Sequence, residues 1–117
     1  RHKFMPLFRI QAAIDELLVV LFNVALKVDD LDNVATIFAA GIADGTQVEV
    51  RDKRGLTQAV CVHGDVPYGH KIALKDISKG EAIIKYGQSI GTASRDIRTG
   101  DYVHIHNLDA MRGRGDL

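Results

Sequence analysis

The chain has 117 residues, one domain's length, in which roughly two-thirds of the unfolded surface can be buried, so one modest core is expected and not two. Fifteen Lys and Arg balance fifteen Asp and Glu, which argues against a nucleic-acid or anionic-membrane partner, because both are held chiefly by excess basic charge. An apolar fraction of 46% excludes a disordered chain, and a single cysteine, Cys61, excludes an internal disulfide.

Residues 1–22 read as an N-terminal helical extension. Ile10, Ala13, Ile14, Leu17, Leu18 and Leu21 form one continuous helical stripe, and Val19, Val20 and Phe22 add apolar surface beside it. Such a helix either caps the core or docks on another chain. The apolar run Leu17 to Leu26, broken only by Asn23, would span about 15 Å as a helix, half the depth of a bilayer core. A secretory signal is disfavoured, since Asp15 and Glu16 abut the run and no small-x-small cleavage site follows.

From Asn23 onward short β-like runs alternate with glycine. One element occurs three times, as Ile42-Ala-Asp-Gly45-Thr-Gln-Val48, Ile77-Ser-Lys-Gly80-Glu-Ala-Ile83 and Ile97-Arg-Thr-Gly100-Asp-Tyr-Val103. Each is a turn in which glycine supplies a positive φ, with the flanking Ile and Val pointing into one core. Asp76 and Asp96 stand ready to bond nearby turn amides. The spacing is too irregular for a solenoid and suits a compact all-β domain over residues 23–111. Its strands are expected at 23–28, 34–39, 47–51, 57–62, 71–74, 82–86, 89–93 and 102–107, with a turn of helix after Asp32. Residues 112–117 read as a flexible tail.

Three clusters carry chemistry. In Val66-Pro67-Tyr68-Gly69-His70-Lys71, two adjacent basic groups oppose each other's charge, which suits a site that handles carboxylates; a plain polar turn would look the same. In Lys85-Tyr86-Gly87, the lysine can hold an anion or move a proton, the tyrosine can donate a hydrogen bond, and the glycine permits close approach; a simple hairpin is the alternative. In His104-Ile105-His106-Asn107, strand alternation would put both imidazoles on one face. Two nitrogens are only half of a metal's first shell, so Asp32, Asp101, Asp109 or another chain would have to complete it. Cys61, inside Ala59-Val-Cys-Val62, reads as a core residue.

Taken together, Asp32-Asn33-Val34-Ala35, Pro67-Tyr-Gly-His-Lys-Ile-Ala-Leu74, Ile77-x-x-Gly80-Glu81, Lys85-Tyr86-Gly87-x-x-Ile90-Gly91 and His104-Ile-His-Asn107, in that order, resemble the SAF-type domain of the altronate/galactarate dehydratase family, in particular its small-subunit form. The resemblance covers roughly residues 24 to 115 and stops before residue 23. It implies a β-clip fold and a cytoplasmic hydro-lyase that removes water from a sugar acid to give a 2-keto-3-deoxy acid. It further implies a divalent metal, Fe2+ or Mn2+, in the assembled enzyme and a large catalytic subunit holding most of the apparatus.

On this reading His70, Lys71, Lys85 and Tyr86 take catalytic roles. Gly69, Gly87 and Asn107 line the substrate, and His104 and His106 face the partner or its metal. A homo-oligomer is compatible with it. The rivals are the small subunit of a sulfolactate sulfo-lyase, a non-catalytic sugar-acid-binding or assembly module, and a stand-alone metal-binding protein using His104 and His106.

Overall fold

The structure, a computed structural model, describes residues 23–110. The expected helix over residues 1–22 and the tail at 112–117 lie outside them. The described residues are all β, without a helix. None, therefore, forms a helix long and apolar enough to cross a membrane. The turn of helix expected after Asp32 is a hydrogen-bonded turn before it, Asp32 N–H donating to Asp29 O at 3.0 Å, and strand begins at Val34.

Nine short strands form two sheets: β1 (Val24–Leu26), β2 (Val34–Ile37), β3 (Gln47–Arg51), β4 (Thr57–Cys61), β5 (Lys71–Ala73), β6 (Ala82–Lys85), β7 (Gln88–Ala93), β8 (Tyr102–Val103) and β9 (Leu108–Ala110). Their orders are β4-β3-β1-β2-β5-β8 and β6-β7-β9. The expected last strand, 102–107, is a correction. It stops at Val103, turns over, and restarts as β9 in the other sheet.

The repeated turn organises both sheets, and it occurs four times. Val66-Pro-Tyr-Gly69-His-Lys-Ile72 is a further copy, hidden from the sequence reading by its valine and proline. In each copy the residue after the glycine donates to the residue before the turn pair: Thr46 N to Ala43 O, His70 N to Pro67 O, Glu81 N to Ser78 O and Asp101 N to Arg98 O. Gly45, Gly69, Gly80 and Gly100 hold φ between 83 and 92°, the third position of a type II turn. The copies pair, Ile42 bridging Val66 and Ile77 bridging Ile97. Aspartates lock the pairs: Asp76 accepts from Thr99 N, Asp96 from Lys79 N and Asp65 from Asp44 N.

The Ile and Val flanking the turns are buried as expected, but in two clusters rather than one core. Ala35, Ile37, Ile72 and Leu74 face the first cluster with Ile42 and Val48. Val34 and Ala73 face the second with Ile77, Ile83, Ile97 and Val103. Side-chain alternation along β2 and β5 feeds both, so this ribbon is a wall shared by two small cores. Alternation also corrects Cys61: Val60 and Val62 are buried, whereas Cys61 is exposed and points away from them.

Two buried polar residues join the sheets. Asn33 accepts from Ile84 N at 2.7 Å and donates through Nδ2 to Ala82 O at 3.0 Å. Asp32 accepts from Gly87 N at 2.8 Å and from Asp29 N at 3.0 Å. Together they hold the β6–β7 hairpin, and Lys85 at its tip, against β2. Asn33→Ala removes two directional bonds and leaves β6 backbone groups unpartnered. It is expected to lower unfolding free energy by about 2–3 kcal/mol, measured by denaturant titration; a loss within about 0.5 kcal/mol would show that the clamp is dispensable.

Candidate functional site

Three of the four turns cap themselves in one way. The side chain after the glycine accepts from the first amide of the turn: Thr46 from Ala43 N, Glu81 from Ser78 N and Asp101 from Arg98 N. The fourth begins with Pro67, which has no amide proton to satisfy, and a histidine stands where the cap would be. Gly41 occupies the place before the paired turn where the other copies carry an aspartate. His70 is therefore released from turn duty and points elsewhere.

It meets Tyr102. Lys71 pairs with Val103 and Ile72 with Tyr102 across β5 and β8, which sets the end of the fourth turn beside β8. Nδ1 of His70 lies 2.6 Å from the Tyr102 hydroxyl, and the His70 ring is 4.6 Å from that of His104. Tyr102 lies nearly parallel to His104, at 5.7 Å and 11°, and its ring is 5.3 Å from that of His106. One phenol thus stands among three imidazoles.

Two lysines join them. Burial first, and then the charge of Lys85, push the Lys71 ammonium below the ordinary lysine range. His104 is pushed down as well, by desolvation and then by His70, Lys71 and His106. Positive groups set this close together make a site that favours an anion. A cavity of about 350 Å³, lined by Gly41, Asp65, Pro67 and Tyr102 among others, opens beside Tyr102.

The other expected site residues are placed as follows. Tyr86 and Gly87 form the two-residue loop between β6 and β7 with φ of 57 and 74°. A tyrosine in this left-handed conformation is unusual. Its ring is exposed, with Lys85 Nζ 5.0 Å from the centroid. Gly69 N–H donates to Ile37 O, and Gly87 N–H to Asp32, so neither backbone amide is free for a ligand.

Asn107 is the last of them. It is buried, its Oδ1 accepts from His104 N at 2.9 Å, and its Nδ2 donates to Tyr102 O at 2.9 Å. Both ends of the amide close the turn that carries His104 and His106, so Asn107 shapes the site from behind. The two histidines come together through that turn, not through strand alternation. Tyr102, which residue type alone does not mark, is the group they surround; the pairing of β5 with β8 brings it to His70.

The sequence that builds this site matches a known family. Residues 23–111 fit the altronate/galactarate dehydratase SAF domain. The chain belongs to that family. The SAF domain here is 48% identical over 82 residues to altronate dehydratase of Escherichia coli K12, covering 70% of this chain and 15% of that protein. It is 40% identical over 78 residues to galactarate dehydratase (L-threo-forming) of the same organism, 67% of this chain and 14% of that protein. It is 43% identical over 47 residues to the (2R)-sulfolactate sulfo-lyase subunit alpha of Chromohalobacter salexigens, 40% of this chain and half of that subunit. The chain therefore spans about one-seventh of the dehydratases it matches.

The metal that the resemblance implies finds no complete set of ligands among the described residues. Among the described residues no group of three or more His, Cys, Asp or Glu is placed to hold an ion. The carboxylates weighed for that role are engaged or elsewhere. Asp32 holds two backbone amides, Asp101 accepts from Arg98 N and sits 3.2 Å from His63 Nδ1, and Asp109 belongs to β9 in the second sheet.

Proposed function

We propose that this SAF domain is the small accessory subunit or N-terminal domain of an altronate-dehydratase-like hydro-lyase, lending site-lining groups to a large catalytic portion. The observation that supports this best is the gathering of His70, His104 and His106 around the Tyr102 phenol, with Lys71 close enough to lower His104 and Lys85 close enough to lower Lys71. Removing a proton beside a carboxylate builds negative charge on an enediolate, which fixed cations and hydrogen-bond donors stabilise. Lys71, with its weakened hold on a proton, suits the base; His70 and Lys85 suit the carboxylate and hydroxyls of a sugar acid.

The large portion supplies the rest, including the ligands of the divalent Fe2+ or Mn2+, with His104 and His106 facing it. Tyr68, Tyr86 and Ile105, each within two residues of a proposed site group, are 60, 60 and 81% exposed. Apolar side chains left in water around a polar site suit a surface that another protein part covers. The cytoplasmic location belongs to the same proposal.

A second reading is the small subunit of a sulfo-lyase. The match to half of a sulfo-lyase subunit alpha favours it, and the chemistry differs only in the group expelled from the carbon next to the one that loses its proton. Assaying the chain with its large partner on altronate and on (2R)-sulfolactate separates the two. Formation of a 2-keto-3-deoxy acid, dependent on this chain, is the expected result. Sulfite release alone selects the sulfo-lyase. Sugar-acid binding by calorimetry, with no lyase activity in any combination, leaves a binding module.

A further inference from the structure

We propose that Tyr102 is a positioning residue, whose hydroxyl donates to Nδ1 of His70 and fixes the neutral imidazole as the tautomer carrying its proton on Nε2. The 2.6 Å contact between the two side chains is the observation that carries it. A phenol is a better donor than a neutral imidazole N–H, and an imidazole's bare nitrogen is a better acceptor than a phenol oxygen. The bond is therefore O–H···N, and the partner at one ring nitrogen decides what the other presents.

The backbone prepares this contact. Thr46, Glu81 and Asp101, which occupy the same place in the other turns, accept from the first amide of their turns. Pro67 abolishes that demand at the fourth, and the imidazole is free to swing to β8. Tyr102 is held in turn by pairing with Ile72 and by Asn107 Nδ2, which donates to its carbonyl. His70 thus meets an incoming oxygen as a hydrogen-bond donor, not as a base. Within the lyase reading, on which only this last consequence rests, that leaves the base role to Lys71.

Nitrogen-15 NMR of the histidine rings in the full chain tests it, at a pH where the rings are neutral. His70 signals are assigned by their loss in His70→Gln. The expected result is a single Nε2–H tautomer at His70 and, in Tyr102→Phe, a shift toward a mixture of both. A wild-type His70 found as the Nδ1–H tautomer, or as a mixture, would overturn the proposal without any variant. An unchanged tautomer balance in folded Tyr102→Phe would overturn it too. Because the spectrum needs neither partner nor substrate, failure of the lyase assay leaves this result standing.

Discussion

Gly100→Ala is expected to destabilise the domain far more than Gly80→Ala, although the two glycines share nearly the same backbone. Their φ values are 92 and 89°, so alanine at either pays the same left-handed penalty, roughly 1–2 kcal/mol. They differ in what surrounds them. A Cβ on Gly80 meets nothing within 4 Å, whereas one on Gly100 overlaps the carbonyl of Cys61. That carbonyl is backbone at the end of β4 and cannot rotate away as a side-chain tip would. Gly100 is also bonded on both sides, its N–H donating to Ala73 O and its O accepting from His63 N. Overpacking of this kind adds about 1–3 kcal/mol. With about 4–8 °C of melting temperature per kcal/mol in a domain this small, Gly80→Ala melts lower by about 4–16 °C and Gly100→Ala by roughly twice that. Equal shifts would mean that β4 moves aside easily, and that the second turn pair is not anchored to the first sheet.

Much of this architecture is legible in the sequence because the physical demand is local. A type II turn needs positive φ at one position, so Gly45, Gly80 and Gly100 announce themselves, and the branched residue three places on either side marks where the chain enters the core. Asp76 and Asp96 follow from the same logic, since turn amides need acceptors. Tertiary pairing is less visible. Nothing local says that Asp76 caps the turn at Thr99 and Asp96 the one at Lys79, because each bond spans a pair of turns distant in sequence. The shared wall of β2 and β5 misleads for a related reason: Val34-Ala35 and Ile72-Ala73 read as continuous apolar runs, and only a second packed layer shows that adjacent residues serve opposite clusters.

The site divides in the same way. His70, Lys71, Lys85 and the His104–His106 pair are marked by residue type. Tyr102 becomes apparent only when β5 and β8 pair, and the turn closure by Asn107 only once its burial and both bonds of its amide are known. Pro67 was visible but uninterpretable until the other three turns supplied the pattern from which it departs.

Lys71→Met is expected to reduce turnover of the assembled enzyme by roughly 10²-fold or more, the lower range for loss of a positioned base, without loss of fold. Burial and Lys85 already hold the Lys71 ammonium below its ordinary range, so in the window between the folded and unfolded values the unfolded chain binds more protons. Stability therefore rises as pH increases through that window, and below it the charged lysine is a burden on the fold. Methionine removes the burden while filling similar space, so the unfolding midpoint at neutral pH stays level or rises. A structural role for Lys71 predicts the reverse, activity and stability falling together. Lys85→Met gives the complementary test. It removes one of the two causes of the depressed value, so the ascending limb of the pH–rate profile moves to higher pH. Near-normal turnover in Lys71→Met, Lys85→Met and His70→Ala alike would strip the cluster of any part in chemistry. A large loss in Lys71→Met with an unmoved limb in Lys85→Met would keep Lys71 in the site but assign the proton to another group.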